Sequence, residues 1–172
     1  ACFSDPSVGA ASGELVIRDG ATHAESNVGL YWRYEKWIRR NMSRVDSMLG
    51  ATGAIYAMRR SLARPLAPGT ILDDVNLPLN AFFQGYRIVL DETAKAYDEP
   101  ASLHTEFRRK LRTLAGAYQS IGAFPALLGR RNRMWLHFMS HKFGRLLLPW
   151  ALIAAAVSSF ALPGAWRALA LA

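Results

Sequence analysis

Apolar positions in this chain change their spacing from segment to segment, and each change marks an element. Val8 to Arg18 sets small residues ahead of an alternating run, Glu14-Leu15-Val16-Ile17-Arg18, which predicts a buried strand leading into a turn at Asp19-Gly20. From Ser26 the spacing becomes helical. Leu30, Tyr34, Trp37, Ile38, Met42, Val45 and Leu49 recur three and four residues apart, while Arg33, Lys36, Arg39, Arg40 and Arg44 fall on other faces. Ser26 or Asn27 is placed to cap this helix and Gly50 to end it. Gly50-Ala51-Thr52-Gly53-Ala54 then forms a small-residue turn entering a short strand before Arg59-Arg60.

An acidic pair, Asp73-Asp74, opens the next apolar segment, which closes on Gly85-Tyr86-Arg87. Arg87 to Leu90 and Ala94 to Tyr97 read as two short strands, and Leu103 to Phe124 as a further helix. Alternation of strand and helix predicts an α/β domain. The acidic pair admits two readings. Carboxylates at a helix start are held by orphan backbone N–H groups for structural reasons alone, or one is fixed in this way while its neighbour faces a cleft as a base.

From Leu146 to Leu162 no residue carries a charge, a run at the short end of the roughly 17 to 25 residues that span a bilayer. It predicts a transmembrane segment within 146–172. Phe124 to Arg145 mixes large apolar residues with Arg, Lys and His, which suits a helix lying among lipid headgroups. Basic residues before the apolar run place the body of the chain at the cytoplasmic face of a cell membrane.

The chain has 172 residues, 51% of them hydrophobic, and a net charge of +8 from 21 Lys and Arg against 13 Asp and Glu. Such a charge admits nucleic acid, phosphate-bearing substrates or anionic lipid as partners. Much of the excess sits in Arg108, Arg109, Lys110, Arg112, Arg130, Arg131, Arg133, Lys142 and Arg145, beside the apolar run and outside any nucleic-acid motif, so no nucleic-acid partner is expected. Cys2 is the one cysteine, which excludes an internal disulfide framework and a cysteine metal cluster. His137 and His141 stand four residues apart without a carboxylate on the same helix, and no metal site is assigned to the chain. Glu25 and Glu35 either line a cleft or pair with nearby arginines.

Taken in order, Tyr31-Trp32-Arg33-Tyr34-Glu35-Lys36, Gly50-Ala51-Thr52-Gly53-Ala54, Leu72-Asp73-Asp74, Gly85-Tyr86-Arg87, Arg108-Arg109-Lys110-Leu111-Arg112 and Gly116-Ala117-Tyr118-Gln119 resemble the family 2 glycosyltransferases. More narrowly, the series is similar to the membrane-embedded synthases of cellulose, chitin, hyaluronan and poly-N-acetylglucosamine. The resemblance implies a GT-A-like, Rossmann-type catalytic domain, of which 1–102 is the acceptor-side, C-terminal half. Basic interfacial helices would follow at 103–145, and a transmembrane segment at 146–172.

The activity so implied is inverting transfer of a sugar from a nucleotide-diphosphate donor, a UDP-sugar first, to a carbohydrate or lipid-linked hydroxyl in polysaccharide or glycan synthesis. By the same resemblance Asp74 is the general base and Asp73 supports it by cap or salt bridge. Gly50, Ala51, Thr52 and Gly53 shape the acceptor site, and Arg109 and Arg112 meet the donor. Where relatives carry Gln-x-x-Arg-Trp, this chain has Arg109, Arg112 and Thr113, so the arginine persists and the aromatic platform does not. Relatives hold a divalent Mg or Mn ion on earlier strands. Asp5-Pro6-Ser7-Val8-Gly9 matches a later turn, so Asp5 is not that ligand and the chain as given is expected to be inactive by itself. The rival reading is a non-catalytic, membrane-anchored basic module that binds anionic lipid or a partner protein.

Overall fold

The computed structural model describes residues 2–17, 23–98 and 103–160. Asp19-Gly20, expected as a turn, lies outside them. Contacts divide the chain into two compact units, Ala1–Trp135 and Leu136–Ala172. The first is a mixed α/β unit in the order β1 (Val8–Ile17), α1 (His23–Val45), β2 (Tyr56–Met58), α2 (Asp73–Phe83), β3 (Arg87–Asp98) and α3 (Leu103–Ala123).

The small-residue strand β1 takes the centre of a three-stranded sheet ordered β2-β1-β3. It runs antiparallel to β2, with Ser12 opposite Tyr56, and parallel to β3 from Val8 opposite Arg87 to Ile17 opposite Asp98. β3 is one strand where two were expected. Ser12 faces Leu90 and Glu14 faces Lys95, so β3 carries extra residues between these pairs. Asp91 takes them up: its Oδ1 accepts from the Thr93 amide at 3.0 Å and the Thr93 hydroxyl at 2.6 Å, an Asx turn inside a continuous strand. The polar triplet Asp91-Glu92-Thr93 reads in sequence as a break for the same reason.

Val8, Ala10, Ala11 and Leu15 of β1 are buried with Leu79, Ala81 and Phe82 of α2 and Ile88 of β3. Gly85 stops α2 because it adopts φ +93, so the Gly85 and Tyr86 amides turn back to the Phe82 and Ala81 carbonyls in a Schellman closure. Arg87 then satisfies the end of α1, donating to the Asp46 and Ser43 carbonyls at 2.8 and 3.1 Å. Gly85-Tyr86-Arg87 therefore closes two helices.

α1 departs from expectation at both ends and in its buried face. It starts at His23, which puts Ser26 and Asn27 inside the helix and not at its cap, and it ends at Val45, ahead of Gly50. Tyr34, Trp37 and Val45 of the helically spaced series are 52%, 59% and 67% exposed, and among its described side chains only Met42 and the later Leu49 are fully buried. Charged side chains take the sheet-facing side instead: Lys36 reaches Glu14 at 2.9 Å, Arg40 grips Glu92 at 2.6 and 2.7 Å, and Arg39 donates to Ser12. Their aliphatic stems cover the sheet while their heads find partners at its edge.

Phe124 to Arg145 is not one interfacial helix. A 3-10 turn at Pro125–Leu128 is followed by a loop in which Asn132 is buried, accepting from the Met134 amide and donating to the Leu127 carbonyl. Arg133 leaves any lipid role for an internal one, bonding Asp46 and the Phe82 and Tyr86 carbonyls with its guanidinium 4.2 Å over the Phe82 ring.

After a short helix, α4 (Trp135–His137), a π-helical turn at Phe138–Phe143 leads into α5 (Gly144–Ser159). The expected membrane span is not found there. Among the described residues no helix is long and apolar enough to cross a membrane. α5 has 16 residues, about 24 Å of helix against a hydrocarbon core of roughly 30 Å. The charge-free run also counted Phe160, which follows the helix, and Ala161 and Leu162; residues 161–172 are outside the described part of the chain.

Candidate active site

The acidic pair does open α2, but neither carboxylate is its cap: that position is Leu72, whose carbonyl accepts from the Asn76 amide at 3.0 Å and the Asn76 side chain at 2.6 Å. Asp73 and Asp74 fill the first turn, where carboxylates oppose the positive end of the helix dipole. Asp73 is exposed and Asp74 half-buried.

Pro78 decides what lies against them. A proline has no N–H, so the Asp74 carbonyl loses its helical partner four residues on. The Ala51 amide supplies the replacement at 2.8 Å. This bond docks the Gly50–Gly53 turn on the first turn of α2. Gly50 makes the approach possible with φ +130, and Gly53 lies so close that a Cβ there would stand 3.0 Å from Asp74 Oδ2. The small residues of this turn thus leave the Asp74 carboxylate room that any side chain would take.

The turn is fixed from behind as well. The Thr52 amide donates to Ser12 Oγ at 2.9 Å, and Arg39 Nη2 donates to the same oxygen at 2.9 Å. Ser12 is fully buried on β1 and gives its own proton to the Gly13 carbonyl at 3.1 Å. Burial lowers the pKa of the Arg39 guanidinium, and the charges of Glu35, Asp74 and Glu14 oppose that loss. On β2, burial and then the charges of Asp73 and Asp74 push the Tyr56 phenol up. Asp74 therefore stands in one electrostatic neighbourhood with Asp73, Tyr56, Arg39, Glu35 and Glu14.

A shallow pocket opens beside this cluster, lined among others by Glu14, Glu35, Lys36 and Arg39. Gln119 ties α3 to the approach of α2, accepting from the Ile71 amide at 2.8 Å and donating to the Gly69 carbonyl at 3.0 Å. Arg109 and Arg112 are exposed on α3, and Arg112 shares the helix face of Gln119, seven residues before it. Asp5 is committed elsewhere: its Oδ1 accepts from the Ser7 amide and hydroxyl at 2.8 and 2.7 Å, which hold its carboxyl below the usual range.

The ordered series of segments agrees with a family match over the whole chain: the family model described as Glycosyl transferase family group 2 matches residues 1–172. The chain belongs to this glycosyltransferase family. No curated protein matches it. Its mixed α/β unit with a three-stranded sheet is consistent with a GT-A-like domain, and as a family 2 glycosyltransferase it moves sugar from a nucleotide-sugar donor to an acceptor.

This glycosyltransferase commonly has relatives that use a divalent metal ion. Among the described residues no three His, Cys, Asp or Glu side chains gather into a ligand set, so the side chains described do not fit such an ion. Glu25 lies in the part of α1 whose side chains are not described. Arg39 and Ser12 are the site residues that sequence reasoning missed. Arg39 falls, by spacing, on a face of α1 other than the apolar one, and Ser12 within the small residues of a strand. A serine inside a small-residue strand was the available signal, since a buried hydroxyl requires partners.

Proposed function

We propose that the site carries out inverting transfer of a sugar from a nucleotide-diphosphate sugar to an acceptor hydroxyl, with Asp74 as the general base. The supporting observation is the Asp74 carboxylate in the first turn of α2, faced by a glycine where a side chain would block it. The acceptor hydroxyl gives its proton to Asp74 as its oxygen bonds to the anomeric carbon. On the opposite side of that carbon the bond to the diphosphate oxygen breaks, and the nucleoside diphosphate leaves with the bonding pair. Gly50, Ala51, Thr52 and Gly53 form the wall along which the acceptor lies, which aligns its oxygen with the base.

Arg109 and Arg112 offer planar guanidinium groups to the leaving diphosphate, whose charge grows as the bond breaks. Asp73, exposed beside Asp74, supports the site by its charge on Tyr56. The donor is a UDP-sugar, and the product belongs to polysaccharide or glycan synthesis. The work takes place at the cytoplasmic face of a cell membrane, a reading supported by the basic face of α3 and by exposed Leu147, Leu148, Trp150, Leu152 and Ile153 on α5.

The test is release of nucleotide from a panel of UDP- and GDP-sugars by the intact protein, with acceptor supplied, beside its Asp74→Asn variant. Asp74→Asn is expected to lower transfer by about 100-fold or more with donor binding retained. Transfer at the wild-type rate in the variant would remove Asp74 from the base role.

A further inference from the structure

Three hydrogen bonds meet at one buried oxygen behind the site. Ser12 Oγ accepts from Arg39 Nη2 and from the Thr52 amide, both at 2.9 Å, and donates to the Gly13 carbonyl at 3.1 Å. Ser12 is wholly inaccessible to solvent, so this node is set by α1, β1 and the Gly50–Gly53 turn together. The residues on either side of Thr52 are those that meet Asp74: Ala51 through the Asp74 carbonyl at 2.8 Å, and Gly53 beside its carboxylate. A guanidinium that fixes the Ser12 oxygen holding Thr52 therefore bears on both.

Arg39 also brings charge. Its helix carries Glu35 and its facing strand carries Glu14, but Glu14 is already paired with Lys36 at 2.9 Å. The guanidinium is drawn down by burial and held up by Glu35, Asp74 and Glu14 in that order. Asp73 on the same turn and Tyr56 on β2, whose phenol responds to both aspartates, also belong to the surroundings of Asp74. Among the described residues Arg39 and, on the same helix, Lys36 bring positive charge to this group of acids.

We infer that Arg39 is a positioning residue for the base: hydrogen-bonded to Ser12, whose oxygen also receives the Thr52 amide, it holds the Gly50–Gly53 turn against the first turn of α2 and adds a positive charge to the surroundings of the Asp74 carboxylate. The inference rests on the proposed base role of Asp74. Arg39 touches neither donor nor acceptor in it, and its effect is on the rate of the proton-accepting step.

The experiment compares Arg39→Met, Arg39→Lys, Ser12→Ala and Asp74→Asn in the intact protein, measuring kcat, KM for donor and the pH profile of kcat/KM. Arg39→Met is expected to lower kcat by about 10- to 100-fold with donor KM unchanged. It should also move the acidic limb of the profile upward, because a carboxylate that loses a neighbouring cation takes its proton at higher pH. Arg39→Lys keeps the charge and loses the planar fork; its kcat falls while its acidic limb stays at the wild-type position. Ser12→Ala lowers kcat without moving the limb.

An unmoved limb in Arg39→Met, or a raised donor KM at unchanged kcat, would overturn the inference. If Arg39→Met does not fold, Arg39→Lys decides: wild-type kcat in that variant overturns the inference, and lowered kcat with an unmoved limb supports it. Asp74→Asn separates the two levels. Transfer retained there sinks the base role and this inference together, whereas an inactive Asp74→Asn beside an unaltered Arg39→Met sinks the inference alone.

Discussion

A methyl group at Gly53 would meet Asp74 Oδ2 at 3.0 Å, a distance at which either the turn or the carboxylate must give way. Gly53→Ala is expected to lower transfer by about tenfold while thermal stability changes little, since the turn is exposed at that residue. Activity against melting temperature in the same preparation checks this; a fall in both together would make Gly53 a folding residue. At this scale the sequence carried the identity of the acids but not of their neighbours. Asp73-Asp74 and Gly50–Gly53 are legible because acids at a helix start and glycines in a turn follow from local backbone requirements. Arg39 is not, because a basic residue on a helix reads as solvated until a buried acceptor is seen opposite it.

Pro78 acts at the scale of the element. By withholding an N–H inside α2 it frees the Asp74 carbonyl for the Ala51 amide. Pro78→Ala returns an N–H that competes for that carbonyl. Amide exchange at Ala51 should then quicken, and kcat should fall, with global stability altered by no more than about 1 kcal/mol. Unchanged exchange at Ala51 would show that the turn is held by Ser12 alone. Elements of this chain follow their sequence pattern where the pattern is local, as in β1, α2 and α3. They depart from it where a distant partner intervenes. β3 stays whole across Asp91-Glu92-Thr93 because β1 continues to pair on both sides of the Asx turn. α1 leaves Tyr34, Trp37 and Val45 of its apolar series outward while Lys36, Arg39 and Arg40 find partners on β1 and β3.

Across the first unit, exposed carboxylates link stability to acid. Ser7 holds the Asp5 carboxyl low, Thr93 and then Cys2 do so for Asp91, and Arg40 does so for Glu92. Each folded pKa lies below its unfolded value, so the contribution is complete above the unfolded range near pH 4 and is lost as pH falls through the folded values. Denaturant midpoints should therefore be flat from neutral pH to about pH 5 and decline below. Asp91→Asn should weaken that decline, and an identical acid profile in the variant would remove Asp91 from the linkage.

Short-range features are legible from the order of residues alone: the alternation of strand and helix, the acids at the start of α2, the glycine turn, and an ordered series of segments specific enough to resemble the family that the whole chain matches. Which side chains those features face depends on the folded chain. The Ser12 node, the exchange of the Asp74 carbonyl from helix to turn, and the clamp of Arg133 on Phe82 and Tyr86 each join residues far apart in the chain. Periodicity reports the faces of an element and says nothing of the hydrogen-bond partner that a buried polar atom must find.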